Sequence, residues 1–269
     1  MTIRDLEPKL IWEQFDDICQ VPRPSKKEGK IIAWLIEFAK KHNIEYQTDE
    51  TGNVVMRKPA TKGFENRPAV ILQSHMDMVC EKNSSKEFDF ENDPIETWID
   101  GEWVKAKDTT LGADCGIGMA AALAVLLDES LEHPAIEALF TVDEETGLTG
   151  AFGLGEGMLT GKYLINLDMI ADNNAELYCE VSNEGMDGFA LFEDINSEKG
   201  FFVALNRNQL ADNSDHYPFA QRGVPCIFFM NENGDAFKYY HTVYDTWENS
   251  IFDYYEPTFK LLVDFVDSY

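Results

Sequence analysis

The 269-residue sequence predicts one α/β domain, built on a mixed, mostly parallel central sheet with helices on both faces. Three observations lead there. Apolar runs of strand length alternate with helix-patterned segments. The length suits one large domain, and 44% hydrophobic residues are enough for a sizeable core. No internal repeat, low-complexity tract or interdomain linker interrupts the pattern.

Residues 8–20 read as an amphipathic helix, with Pro8 tolerated in its first turn. Ser25-Lys26-Lys27-Glu28 has capping-box spacing ahead of KIIAWLIEFAKKHN, so a helix is expected over 26–42. NVVMRK (53–58) and AVILQS (69–74) read as strands. An acidic, polar stretch over 81–110 contains WIDGEWVKAK, a hairpin turning at Asp100-Gly101. GIGMAAALAVLLDE (116–129) is an Ala-rich buried helix, and IEALFTV (136–142) and YLINL (163–167) are strands. Further strands and turns are expected over 175–206, and a short helix over 215–222. CIFFM (226–230) reads as a strand, and a closing helix starts at Pro257.

With 22 Lys+Arg against 49 Asp+Glu, the formal net charge is −27. Such a field repels phosphate backbones and anionic membranes, so neither nucleic acid nor membrane is an expected partner. It favours metal cations and a peptide's free amino group, although acidity alone also serves solubility. The segment MTIRDLEPKLIWEQF has no apolar signal core, and no run of membrane-spanning length occurs. Cys19, Cys80, Cys115, Cys179 and Cys226 are scattered and odd in number, which points to a reducing, cytoplasmic setting.

Five segments carry metal-ligand side chains at the ends of apolar runs or beside them. They hold His75 and Asp77 (HMD), Asp114 (GADCGIG), Glu144-Glu145 (TVDEETG), Asp168 (YLINLD) and His241 (KYYHTVYDT). Two imidazoles with several carboxylates suit zinc, cobalt or manganese. In open α/β sheets ligands bind at the carboxyl ends of the strands, so residues far apart in sequence can meet at one rim.

Each segment has a plainer alternative. In extended chain Asp77 shares a side with His75 and can hold its second ring N–H, yet an HxD pair also arises by chance. Asp114 can bridge two cations, or simply cap a helix. Glu144-Glu145 can divide between a metal ligand and a free general base, or form a solvated acidic turn with Asp143. Asp168, inside an apolar stretch, needs a metal or an Arg partner. His241 among aromatics reads as packed core or as a ligand. His42 and His133 are assigned to surface or packing, and His216 to a substrate pocket. Phe237, Tyr239 and Tyr244 are candidates for an apolar side-chain pocket, and Tyr239 and Tyr240 for oxyanion support; ordinary core packing accounts for them equally.

The order of these pieces carries a resemblance. RKPATKGFENRPAVILQSHMDMVCEKN and DGEWVKAKDTTLGADCGIGMAAALAVL resemble the aminoacylhistidine dipeptidase family over roughly residues 5–170. SDHYPFAQRGVPCIFFMN followed by YYHTVYDTWEN resembles the single-domain zinc aminopeptidases and their glutaminyl-cyclase relatives over roughly 205–255. Both belong to the co-catalytic zinc exopeptidases. The resemblance implies two divalent ions, with Asp114 bridging. It implies His75 and Asp168 on one ion, Glu145 and His241 on the other, Glu144 as general base and Asp77 orienting His75. It also implies a cis peptide after the bridging Asp, here Asp114–Cys115, where the families carry Asp or Asn.

The dipeptidase branch inserts a lid-like dimerisation domain before its last metal histidine, and residues 169–213 are too few to hold it. Residues 1–269 are therefore expected to form a single catalytic domain without a lid, favouring a monomer. The expected activity is removal of one residue from the amino end of a short peptide or dipeptide. The rivals are a one-zinc aminoacyltransferase of glutaminyl-cyclase type and a silent peptide-binding module, which would lack Glu144 or a ligand.

Overall fold

The computed structural model describes residues 1–101, 103–168, 176–181, 204–206, 214–223 and 226–232. After a short 3-10 turn at Ile3–Asp5 come helices α1 (Lys9–Cys19) and α2 (Gly29–Lys41), then strands β1 (Glu45–Thr48), β2 (Val54–Lys58) and β3 (Val70–His75). The hairpin β4 (Thr97–Asp100) and β5 (Trp103–Ala106) stands apart as a two-stranded sheet. Helix α3 (Ala113–Leu127), β6 (Ile136–Thr141), α4 (Thr149–Gly153) and β7 (Tyr163–Leu167) follow. Beyond them the chain adds β8 (Glu176–Val181), β9 (Ala204–Asn206), α5 (His216–Gln221) and β10 (Cys226–Glu232).

Among the described residues, the main sheet has the order β1-β2-β6-β3-β7-β10-β8-β9. Its centre is parallel, with β3 between β6 and β7 and β10 beside β7. The β1–β2, β2–β6 and β8–β10 pairs are antiparallel. The sheet is thus mixed, as expected. Strands β3, β6 and β7 are buried at every position. A strand covered on both faces must be apolar on both, which is why these segments read as unbroken hydrophobic runs.

The period of two divides the core. Val54, Met56, Val70, Leu72, Ile136, Ala138, Phe140, Tyr163 and Ile165 pack on the face covered by α1, α2 and α3. Val55, Ile71, Leu139 and Leu164 face the other way, onto Ala151 of α4 and Phe219 of α5. Helix α3 carries small residues, Gly116, Gly118 and Ala120–Ala122, where it packs tightly. A Cβ added at Gly118 would sit 2.1 Å from the Leu167 carbonyl oxygen and 2.6 Å from Cys115 Sγ. Alanine in a helix gains about 1 kcal/mol over glycine, but overpacking against backbone costs about 1–3 kcal/mol. Gly118→Ala is expected to be a net loss, read as a lower urea midpoint with an unchanged slope.

One local expectation is corrected. Ser25 does not form a capping box: α2 begins at Gly29, and Glu28, its N-cap residue, makes no side-chain cap hydrogen bond. The Ser25 hydroxyl donates instead to Asp77 Oδ2 at 2.7 Å. The hydroxyl thus acts as a donor to a buried carboxylate at a distant strand end and not as an acceptor for a helix N–H. The hairpin turns at Gly101 (φ +65°), in keeping with the Asp-Gly signal. The closing helix expected from Pro257 lies outside the described residues. No helix among the described residues is long and apolar enough to cross a membrane.

Candidate active site

Strand β3 delivers the first site residue. His75, at its last position, is 1% exposed, and its ring is held on both sides. Nδ1 lies 3.2 Å from Asp77 Oδ1, and Nε2 lies 2.9 Å from Asp114 Oδ1. Asp77 also accepts the backbone N–H of Glu144 at 3.1 Å and of Glu145 at 3.3 Å. It therefore ties the end of β3 to the loop after β6. Burial pushes the Asp77 carboxyl upward, but the donors from His75, Ser25 and Glu144 outweigh it and hold its pKa at about 2.

Asp114 opens α3 without being helical. Its φ/ψ of −78°/115° is extended, and the Asp114–Cys115 peptide is cis, as expected. The turn into it needs Gly112, whose φ is +72° and whose absent Cβ leaves room for the Arg23 guanidinium. Cys115 Sγ donates to the Leu167 carbonyl at 2.7 Å, pinning the start of α3 to the end of β7.

The acidic run after β6 is not a solvated turn. Asp143 is taken up by the hydroxyls of Thr146 and Thr149, at 2.6 and 2.7 Å. Glu144, only 7% exposed, turns inward, with Oε2 3.9 Å from His75 Nε2. At the end of β7, Asp168 accepts the Ser214 hydroxyl at 2.5 Å through Oδ2. Its Oδ1 lies buried 3.9 Å from His75 Nε2, with no hydrogen-bond partner among the described residues. No Lys or Arg among those residues pairs with it.

Ligand atoms of His75, Asp114, Cys115 and Asp168 all lie within 4.8 Å of one another, as do those of His75, Glu144 and Glu145. Crowding acids around one imidazole is electrostatically costly. Burial, with the charges of Asp168, Asp215 and Asp114, pushes Glu144 up to about 10, against the pull of His75. Burial and Asp114 raise Asp168 well above the carboxylate range. Burial disfavours the His75 imidazolium, yet Glu144 and the acids hydrogen-bonded to the ring raise it well above its ordinary value. Carboxylates that would otherwise have to protonate are what a divalent cation compensates. The donor set, its spacing and the orphaned Asp168 oxygen therefore fit such an ion.

Four of the metal-ligand candidates, His75, Asp114, Glu145 and Asp168, thus come together with Glu144 and Asp77. His241, and the pocket candidates Phe237, Tyr239, Tyr240 and Tyr244, lie outside the described residues. His216 is fully buried at the start of α5, next to Asp215, and not on an open pocket wall. The described cleft beside the cluster, about 370 Å³ including space open to solvent, is lined by Val79, Thr110, Leu111, Gly112 and Ala113, with Asp114 and Glu145.

Sequence reasoning overlooked a buried polar layer beneath the acids. Asn166 Nδ2 donates to Gln73 Oε1. Asp215 Oδ2 accepts Gln73 Nε2 at 2.7 Å and also accepts the Thr141 hydroxyl. Ser214 Oγ links Asn166 and Asp168. The signal was present: Gln73 and Asn166 are amides in otherwise apolar strands, and they are register partners in the β3–β7 pair.

A sequence model of peptidase family M28 matches residues 53–265. The chain belongs to peptidase family M28. Within that setting it is 47% identical to the cytosol non-specific dipeptidase of Escherichia coli over 176 residues, 65% of this chain and 36% of that protein. It is 48% identical to the aminoacylhistidine dipeptidase of Vibrio alginolyticus, with a TM-score of 0.62 over 67% of this chain and 36% of that one. The match thus spans about a third of these relatives. An aminopeptidase from Bacillus cereus is 16% identical with a TM-score of 0.71, covering 97% of this chain and 98% of that one. At that identity the likeness is one of fold alone.

Proposed function

We propose that this chain is a metal-dependent exopeptidase that hydrolyses the peptide bond at the amino end of short peptides or dipeptides. The observation that carries the reading is the convergence of Asp114, Glu144, Glu145 and Asp168, from four separate loops, on the buried His75. Membership of a peptidase family and kinship with two dipeptidases support it.

In this reading two divalent ions, zinc before cobalt or manganese, would be held by His75, Asp114, Glu145, Asp168 and His241. When bound, the ions polarise the scissile carbonyl and lower the pKa of water toward neutrality. The protein supplies the rest. Glu144 takes a proton from the attacking water and returns it to the leaving amine. Asp77 keeps a proton on His75 Nδ1, so that Nε2 presents its lone pair to the site. The acidic surroundings suit a substrate's free ammonium group, and the cleft beside Val79 and Leu111 suits a small apolar side chain. Residues 1–269 act as one lidless catalytic domain, monomeric and cytoplasmic, with short peptides and neither nucleic acid nor membrane as partners.

The test is a panel of dipeptides and aminoacyl anilides with zinc-loaded protein, beside metal analysis. Hydrolysis lost on chelation, with two ions per chain, is expected. No hydrolysis by fully loaded protein sinks the reading. One tightly bound zinc with release of ammonia points to aminoacyl transfer of the glutaminyl-cyclase kind.

A further inference from the structure

Segment 23–28, which precedes the residues matched to the M28 family, touches three of the loops that carry site residues. Arg23 is 2% exposed. Its Nη1 donates to the carbonyls of Met76 at 3.2 Å and Asp77 at 2.7 Å, and its Nη2 to the carbonyl of Gly112. One planar guanidinium thus spans the loop after β3 and the turn into α3, which lie far apart in sequence. Its bed is made by absence: a Cβ at Gly112 or Gly116 would come within 2.5 or 2.8 Å of Nη2. The Arg23 carbonyl accepts the Met78 N–H at 3.2 Å, and Pro24 and Met78 form a parallel bridge. Two residues on, the Ser25 hydroxyl meets Asp77 Oδ2 at 2.7 Å. Glu28, 6% exposed, accepts the Asp143 N–H through Oε1 at 3.0 Å and so reaches the loop after β6.

We propose that Arg23, Ser25 and Glu28 form a positioning strap, which sets the separation of the loops bearing His75, Asp114 and Glu144-Glu145 and thereby the affinity of the metal centre. These residues touch no reacting atom; they act through Asp77, Gly112 and Asp143. Bonding to backbone carbonyls fixes loop spacing without adding a competing ligand. The proposal rests on the metallopeptidase reading, but zinc affinity tests it separately from turnover.

The decisive variant is Ser25→Ala, which removes one hydroxyl and buries no new charge. In a zinc titration against a competing chelator it should weaken binding by about tenfold or more. On an aminoacyl anilide kcat should fall by a similar factor, with KM within about twofold, because the lost contact lies away from the substrate. Ser25→Thr, which keeps the hydroxyl, should restore both. Arg23→Lys offers a point charge in place of a fork and should also weaken zinc binding; if it fails to fold, Ser25→Ala decides. Wild-type zinc affinity and kcat in Ser25→Ala overturn the strap, as does equal loss in the alanine and threonine variants. Wild-type protein that binds zinc but cleaves no peptide defeats the functional reading and leaves the titration to judge the strap.

Discussion

Glu144→Gln is expected to lower turnover by about 10²–10⁴-fold while leaving metal content unchanged. Glutamine keeps the size and hydrogen-bonding reach of the side chain but cannot accept a proton at any working pH. Glu144 is 7% exposed and lies 3.9 Å from His75 Nε2, so truncation would also open a cavity, which the amide substitution avoids. The adjacent Glu145 is the contrasting case. As a proposed ligand, its change to Gln should cost metal occupancy first and activity as a consequence. Metal analysis beside kcat separates the two roles. If Glu144→Gln loses an ion and Glu145→Gln does not, the assignments are reversed; if Glu144→Gln retains full kcat, no general base acts at this position.

Stripping the metal should abolish hydrolysis and also make folding stability fall as pH rises. The folded protein holds Glu144 at about 10, against an ordinary 4.5, chiefly through burial, and Asp215 at about 7, against 3.8, for the same reason. Asp168 is raised in the same direction by burial and by Asp114. Between the ordinary and raised values the folded state binds more protons than the unfolded state. Stability is then greatest below the unfolded values and is lost as pH climbs through the folded ones. His75, raised well above 6.5, adds the same sign. Asp77, lowered to about 2, acts oppositely, and its contribution disappears only as pH drops from about 4 toward 2.

The melting temperature of chelated protein should therefore decline from pH 5 to pH 9, whereas zinc-loaded protein should show a much flatter profile. With zinc at about a thousand times its Kd, linkage supplies about 4 kcal/mol, a shift on the order of 10 °C for a domain of this size. Scanning calorimetry of both forms across that range checks it. A melting temperature unaffected by zinc would deny the ion a place in the folded structure.

How much of this was legible beforehand follows the physics of each segment. β3, β6 and β7 could be read because burial on both faces demands apolar side chains at every position. β1 could not: EYQT is an edge strand, exposed at three of four positions, and no periodicity marks it. α4 is five residues of TGAFG, too short for a helical pattern. Ser25 was misread because its partner lies 52 residues away and local spacing cannot register a distant acceptor. The same limit hid the division of labour within Asp143-Glu144-Glu145. Three adjacent acids look alike on paper, and only the Thr146 and Thr149 hydroxyls show that the first belongs to the turn.

By itself, then, the sequence determined the α/β class, the strands that carry the site and the acids and imidazoles at their ends, because those depend on hydrophobic pattern and residue type along the chain. Tertiary structure decided which of them meet. The parallel register of β3 with β6 and β7 brings the ends of those three strands to one rim, and the Gly112 turn and the Cys115–Leu167 contact bring Asp114 there too. It also decided that Gln73, Asn166 and Asp215 form a buried layer beneath the cluster and that Arg23 spans two of its loops. Hydrogen bonds between residues so far apart arise from geometry in space, and no local pattern encodes them.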